Sequence, residues 1–398
     1  MTGSLTHAAP ARRHVAFIIN SLAGGGAERV MCTLLRASEE ERRDFDVTLI
    51  LLDQEPPAYA VPDWVRIEQL DCRHSFARSV GQLFTALKRL RPDVILSFLT
   101  RANIAAVLTC RALGIPAVIS ERVNTSSHLG NGGGATLARL LVRFCYPLAR
   151  KIIAVSPGVA DDLVDAFGIA RKKLAVIANP VDLDGIRRQG DEAPAVVPGT
   201  PYVMAMGRLV PNKNFAMLIE AYAQATMSEQ LFILGEGAER ANLQALIARL
   251  GLEGRVHLPG FCANPYAVLK HAALFVLPSN AEGFPNSLLE AMTLRVPVVS
   301  TNCQSGPAEV LAEIARERVS EAVTYAPHGI LVTPDNVTDM AAGLRAMSDL
   351  ERRASYADKA ARRAADFSVA RAKNAYWDVL RAEITPQAAT MAPPLRAQ

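Results

Sequence analysis

An α/β fold of two doubly wound, Rossmann-like domains facing each other across a cleft is predicted for this chain by three observations. Short, continuously apolar segments alternate with amphipathic helical segments along nearly its whole length. The alternation is interrupted once, at the stretch Asp191–Thr200 rich in Pro, Ala and acidic residues, and then restarts. The chain has 398 residues, which suits two or three units of roughly 100–200 residues each. A strand buried on both faces loses the polar alternation of a half-exposed one, so such runs point to parallel sheets covered by helices. Two series joined by a linker give two domains.

In the first series the strands fall at His14–Asn20, Val47–Leu52, Val94–Phe98, Ala117–Ser120, Lys151–Val155 and Leu174–Ile177. Helical periodicity marks Ala27–Ser38, Val80–Leu90 and Asn103–Leu113 between them. In the second series the strands are Tyr202–Met206, Leu231–Leu234, Arg255–Leu258, Leu274–Leu277, Val298–Ser300 and Ile330–Val332. A long helical stretch, Leu350–Ile384, follows, and the Pro- and Ala-rich tail Gln387–Gln398 reads as frayed. The expected division is 14–190, 200–366 and a terminal helix over 367–385.

Composition narrows the function. Half of the residues are hydrophobic, ample for two large cores and incompatible with global disorder. With 43 basic and 39 acidic residues the net charge is only +4, which argues against a nucleic-acid partner held by a dense basic face. The six cysteines (Cys32, Cys72, Cys110, Cys145, Cys262, Cys303) are dispersed and read as reduced core residues in a cytoplasmic protein. No uncharged apolar run approaches the roughly 18–20 residues that span a bilayer. The basic pair before the first apolar segment is followed by a break at Asn20, so that segment reads as a strand and not a signal peptide.

In open α/β sheets, ligands bind beyond the carboxyl ends of strands. The first such loop contains Gly24, Gly25 and Gly26 and opens a helix. Glycines let backbone approach a ligand, and a helix start aims free amides at it. The G-x-G-x-x-G spacing of a dinucleotide site is absent. The loop Gly207–Asn214 carries Arg208 and Lys213: a planar fork and a mobile point charge, suited together to a diphosphate. The richest segment is Pro278–Met292, which contains Glu282-Gly283-Phe284-Pro285-Asn286-Ser287 and Glu290. A helix starting near Pro285 would free the amides of Asn286 and Ser287 for a phosphate oxygen. Glu290, four residues past Asn286, could accept hydrogen bonds from a ribose diol, with Glu282 aimed at the group carried by the phosphates.

These segments, with Gly235-Glu236-Gly237 and Pro297–Ser300, resemble the retaining glycosyltransferases of family 4, of GT-B fold, over roughly Val15 to Tyr376. The resemblance implies that Glu282 contacts the donor sugar and Glu290 the ribose. Arg208 and Lys213 would neutralise the diphosphate, and Gly24–Gly26 would close over the donor. Gly237, Phe284, Pro285, Asn286 and Ser287 complete the implied donor set. It further implies that Phe367–Ile384 crosses back onto the first domain. The segments Ser97–Asn103 and Ser120–Asn124 resemble the bacterial branch that extends polyprenyl-diphosphate-linked oligosaccharides. Where many relatives carry a His, this chain has Ser120-Glu121-Arg122, so Arg122, with Glu121, is the acceptor-side candidate; His128 reads as a loop histidine.

The implied reaction moves a hexosyl or N-acetylhexosaminyl group from a nucleotide-diphosphate sugar, UDP favoured over GDP, to a glycan acceptor in cell-surface polysaccharide or glycoconjugate synthesis. No metal or other cofactor is expected: the D-x-D matches Asp44-Phe45-Asp46 and Asp182-Leu183-Asp184 sit at a strand start and after the interdomain Asn179-Pro180. Three other readings stand beside this one. They are a sugar-nucleotide epimerase of GT-B fold, a nicotinamide dehydrogenase (for which Asp53 is a poor ribose ligand), and a donor-binding scaffold without turnover. The segment Ala135–Lys151, with Arg139, Arg143, Arg150 and Lys151 among leucines and aromatics, suits either a domain surface or the cytoplasmic face of a membrane.

Overall fold

The structure, a computed structural model, describes residues 12–126, 133–194, 199 and 201–384. His128, the whole of the expected frayed tail and half of the expected linker lie outside the described residues.

Strands β1 (Arg13–Ile19), β2 (Phe45–Leu51), β3 (Arg66–Gln69), β4 (Val94–Phe98), β5 (Ala117–Glu121), β6 (Lys151–Ala154) and β7 (Leu174–Val176) form one parallel sheet in the order β3-β2-β1-β4-β5-β6-β7. The central strands are aliphatic on both faces and nearly all buried. A second sheet holds β8 (Tyr202–Met206), β9 (Gln230–Leu234), β10 (Val256–Gly260), β11 (Leu274–Leu277), β12 (Val298–Thr301), β13 (Val323–Ala326) and β14 (Gly329–Val332), in the order β10-β9-β8-β11-β12-β14-β13. All its pairings are parallel except β13 with β14. Two Rossmann-like units result.

Two strands escaped the sequence reading, and both lie at sheet edges. β3 (RIEQ) is mostly exposed, and β13 (VTYA) has only its last residue buried. An edge strand covered on one side needs no continuous apolar run, so the pattern that reveals the interior strands is missing there.

The strand order reverses between β1 and β4 in one sheet and between β8 and β11 in the other. At such switch points the loops leaving two neighbouring strands part and open a crevice. Helix α1 (Gly26–Ala37) leaves β1, and α2 (Phe76–Leu90), α3 (Thr100–Leu113) and α4 (Gly133–Cys145) follow in the same unit. Next come α5 (Pro157–Asp165), α6 (Leu183–Gly190), α7 (Phe215–Ala225), α8 (Arg240–Arg249), α9 (Pro265–Leu269) and α10 (Asn286–Thr293), the last leaving β11. None of the described helices is long and apolar enough to cross a membrane.

After α11 (Pro307–Leu311) and α12 (Val337–Ala346), the expected helical stretch Leu350–Ile384 consists of α13 (Leu350–Ala364) and α14 (Val369–Glu383), separated by a 3-10 turn and an extended Ser368 close to the expected start of the terminal helix at residue 367. The break is where the chain changes domains, because the Val181 amide donates to the Phe367 carbonyl at 2.8 Å. Beyond it Tyr376, Trp377 and Leu380 join Phe17, Phe45 and Phe98 in one apolar cluster. The Trp377 indole donates to Ser38 Oγ at 2.7 Å. Burying such side chains stabilises by roughly 1.5–3 kcal/mol each, enough to hold the terminal helix against the first sheet.

Candidate functional site

The loops after β8 and β9 pack so closely that side chains are excluded. Gly235, at φ +141, would place a Cβ 1.9 Å from the Gly207 carbonyl oxygen, and Gly237 would place one 2.3 Å from the Leu209 oxygen. Backbone bonds from Leu209 to Glu236 (2.9 Å) and from Glu239 to Leu209 (3.0 Å) lock this pair of loops. Arg208 projects from it, exposed and with no side-chain partner among the described residues.

The loop from β11 to α10 supplies the carboxylates. Glu282 accepts a hydrogen bond from Lys213 Nζ at 2.6 Å, joining the two switch-point loops of the second sheet through an ion pair. Gly283 lies against the first domain: a Cβ there would meet the Arg122 carbonyl oxygen at 2.3 Å. Its glycine identity therefore comes from the domain contact. Pro285 is the N-cap of α10, one position earlier than expected. The Asn286 amide is already bonded to the Phe284 carbonyl at 3.0 Å, so the free helix-start amide among the expected pair is that of Ser287. The Asn286 side chain receives Asn179 Nδ2 across the domains at 2.8 Å.

Glu290 is one turn into α10, its side chain 9% exposed. Its Oε1 accepts from Arg29 Nη2 at 2.7 Å and from the Tyr266 hydroxyl at 3.2 Å, and Arg29 Nη1 donates to the same hydroxyl at 3.2 Å. Glu290 raises the basicity of Arg29 more than burial lowers it. Arg29 is thus a fixed cation from α1, supplied by the opposite domain. Residue-by-residue reading missed it, although it lies three positions past Gly26 and so on the same helix face.

One cavity of about 560 Å³ gathers these groups. Of the sequence candidates, Gly26, Arg208, Lys213, Glu282, Phe284, Asn286, Ser287 and Glu290 line it. Met206 and Leu234, at the ends of β8 and β9, form an apolar floor, and Phe261, Cys262 and Pro265 form a further wall unforeseen from sequence. Gly24, Gly25, Gly237, Pro285 and Arg122 are not among its lining residues. Gly24, at φ +112, turns the loop against Ala58, and Gly25 caps α1 beside the Glu28 carboxylate. Gly237 shapes the cavity wall through backbone contact alone.

Arg122 is buried. Its guanidinium donates to the Tyr376 hydroxyl at 2.7 Å, to Ser120 Oγ at 3.4 Å and to Asn179 Oδ1, and lies 4.6 Å from the Phe98 ring centroid. The Glu121 carboxylate is buried too, accepting from the Tyr146 hydroxyl at 2.6 Å and the Arg122 amide at 3.0 Å. Burial pushes its pKa above the usual carboxylate value. Asp53 is paired with Arg101 and accepts the His74 amide at 2.9 Å; burial raises its pKa, but these partners outweigh burial and leave it lowered. Neither D-x-D match faces the cavity: Asp182 caps α6 through the Gly185 amide at 3.0 Å, and Asp46 pairs with Arg12.

A floor of apolar strand ends, three cations (Arg29, Arg208 and Lys213) and three carboxylates (Glu236, Glu282 and Glu290) within one interdomain crevice suit a phosphorylated, diol-bearing ligand. Comparison with known proteins agrees. The sequence profile described as "Glycosyl transferases group 1" matches residues 188–364, and "Glycosyltransferase Family 4" matches 24–184. A Campylobacter jejuni relative named as N-acetylgalactosamine-N,N'-diacetylbacillosaminyl-diphospho-undecaprenol 4-alpha-N-acetylgalactosaminyltransferase is 34% identical over 363 residues, covering 88% of this chain and 94% of that one. A second C. jejuni relative, a GalNAc-alpha-(1->4)-GalNAc-alpha-(1->3)-diNAcBac-PP-undecaprenol alpha-1,4-N-acetyl-D-galactosaminyltransferase, is 27% identical, covering 93% and 98%. Among solved structures, Anabaena HepE in complex with UDP shares the fold with a TM-score of 0.70 at 21% identity, over 93% of this chain and 100% of that one. Matches across both halves, with 34% identity over nearly the full length of a named transferase, establish that the chain is a glycosyltransferase of GT-B fold belonging to family 4, the glycosyl transferases group 1.

Proposed function

We propose that this enzyme transfers a hexosyl or N-acetylhexosaminyl group, with retention, from a UDP-sugar to a polyprenyl-diphosphate-linked glycan in cell-surface polysaccharide or glycoconjugate synthesis. The observation that carries the reading is the single crevice in which Arg208 and Lys213 stand beside Glu282 and Glu290. The names of the two C. jejuni relatives support the acceptor class, and the UDP complex of the Anabaena neighbour supports the donor. Residues 200–366 hold the donor, 14–190 face the acceptor, and 367–385 tie the two. The absence of any disulfide among the six cysteines fits a reducing, cytoplasmic site of action.

In this mechanism the acceptor hydroxyl attacks the anomeric carbon on the face from which UDP departs. The bond from that carbon to the β-phosphate oxygen breaks, and the acceptor proton passes to a phosphate oxygen. Arg208, Lys213 and the Ser287 amide take up the developing diphosphate charge without a metal. Glu290 accepts from the ribose diol. Glu282 exchanges its bond with Lys213 for the donor sugar hydroxyls. Purified protein, a panel of UDP- and GDP-sugars and a short polyprenyl-diphosphate glycan test this. NMR should show a product with the donor's anomeric configuration, unaffected by chelator. An inverted product, or activity abolished by chelator, would overturn the mechanism; an epimerised sugar nucleotide released without acceptor would replace the transferase reading with the epimerase.

A further inference from the structure

A closed ring of three side chains joins the two domains at the crevice. Arg29 extends from α1 of the first domain, while Glu290 and Tyr266 stand on α10 and α9 of the second. Arg29 Nη2 donates to Glu290 Oε1 at 2.7 Å and Arg29 Nη1 to the Tyr266 hydroxyl at 3.2 Å. That hydroxyl donates in turn to the same Oε1 at 3.2 Å. Burial, with the neighbouring carboxylate, raises the Tyr266 pKa and keeps its hydroxyl a donor. Both bonds to the carboxylate thus end on one oxygen. Glu290 Oε2 has no hydrogen-bond partner among the described residues.

The ring is also a partition. Arg29 and Glu290 line the crevice, and together with Tyr266 they line a second, smaller interdomain cavity of about 160 Å³. A nearly enclosed carboxylate with one oxygen held and the other open is a preorganised acceptor, because its rotamer is fixed before any ligand arrives. The domains do not depend on this ring for their contact. Asn179 Nδ2 donates to Asn286 Oδ1 at 2.8 Å, and the Gly158 amide donates to Glu309 Oε1 at 3.1 Å, both from the first domain to the second.

We infer that Arg29 is a positioning residue for ribose recognition. Holding Oε1 from the opposite domain, it fixes the Glu290 carboxylate so that Oε2 accepts from the vicinal hydroxyls of a bound ribonucleotide. The inference rests on the reading of Glu290 as the ribose partner and adds where the selectivity originates: in α1, outside the domain that holds the nucleotide. Two guanidinium N–H groups of Arg29 are committed to the ring, which sets it apart from Arg208, whose side chain is unpartnered among the described residues and so available to phosphate. Because Arg29 and Glu290 belong to different domains, discrimination of ribose from deoxyribose exists only while the two are apposed.

The test is calorimetric binding of UDP, GDP and their 2′-deoxy counterparts to the full chain, compared for whichever base binds more tightly. Wild type should prefer the ribonucleotide by about tenfold or more, the loss expected when a charged acceptor forfeits a hydroxyl partner. Arg29→Met should cut that preference to roughly twofold or less while leaving deoxynucleotide affinity within about threefold of wild type. Retained deoxynucleotide affinity reports an intact fold and intact diphosphate contacts, so a purely structural role for Arg29 would not give this split. Arg29→Lys keeps the charge but cannot bridge both partners, and should lower the preference by about twofold or more; it carries the comparison if Arg29→Met does not fold. A preference that both variants keep in full overturns the inference. Equal weakening of both nucleotides also overturns it, making Arg29 a diphosphate ligand. A wild type that binds no nucleotide, or a Glu290→Ala variant that keeps the full preference, overturns the ribose reading of Glu290 itself.

Discussion

Replacing Arg122 with methionine separates two roles that sequence alone leaves open. The guanidinium is held by Tyr376, Asn179 and Ser120 and stacked on Phe98. Without it, Ser120 Oγ and the Tyr376 hydroxyl, 3.3 Å apart, can still serve each other. Asn179 Oδ1 cannot be rescued in this way, and a buried acceptor left unpaired costs about 1–3 kcal/mol. Loss of the desolvated cation–π contact adds about 1–2 kcal/mol. A total near 3 kcal/mol should lower the melting temperature by roughly 6–12 °C, at about 2–4 °C per kcal/mol for a unit of this size. Because Arg122 does not line the crevice, turnover measured well below the melting temperature should change less than tenfold. Tyr376→Phe should cost about 1 kcal/mol alone and less than that in the Arg122→Met background, since the two share a bond. Differential scanning calorimetry and initial rates test the pair. An unchanged melting temperature with turnover reduced a hundredfold or more would refute the structural role and make Arg122 a group that touches substrate.

Three further outcomes follow from the same geometry. Lys213→Gln removes both a diphosphate partner and the cation on Glu282, and should weaken UDP binding by tenfold to a hundredfold, as expected for a charge-assisted bond of about 1.5–3 kcal/mol; unchanged calorimetric affinity would count against the crevice as the donor site. Gly235→Ala must push apart the β8 and β9 loops, since its Cβ would sit 1.9 Å from the Gly207 oxygen, so both melting temperature and UDP affinity should fall, and a variant indistinguishable from wild type would show that the loops part freely. Asp53 has its pKa lowered by Arg101 and the His74 amide, so the pair stabilises fully above the ordinary aspartate value of 3.8 and less as pH falls through the lowered one. Asp53→Asn should therefore destabilise by several kcal/mol at neutral pH, with the gap closing in acid; a gap independent of pH would rule out the ion pair as its source.

Much of this protein was written locally. Interior strands are legible because a strand buried on both faces must be apolar throughout, and Val94–Phe98, Tyr202–Met206 and Leu274–Leu277 lie where that pattern puts them. Arg208, Lys213, Glu282 and Glu290 were legible for a related reason: each sits in, or one turn beyond, a strand-to-helix loop, and such loops present their groups on one side of a sheet. Only the packed chain decided the rest. The edge strands β3 and β13 have no continuous apolar signature, and the break between α13 and α14 exists because two domains meet there. Arg29 reaches Glu290 across 261 positions, and Arg122 reaches Tyr376 across 254. Periodicity and spacing report what a residue shares with its neighbours in sequence; the partner of a buried charge is chosen by whichever distant element closes over it.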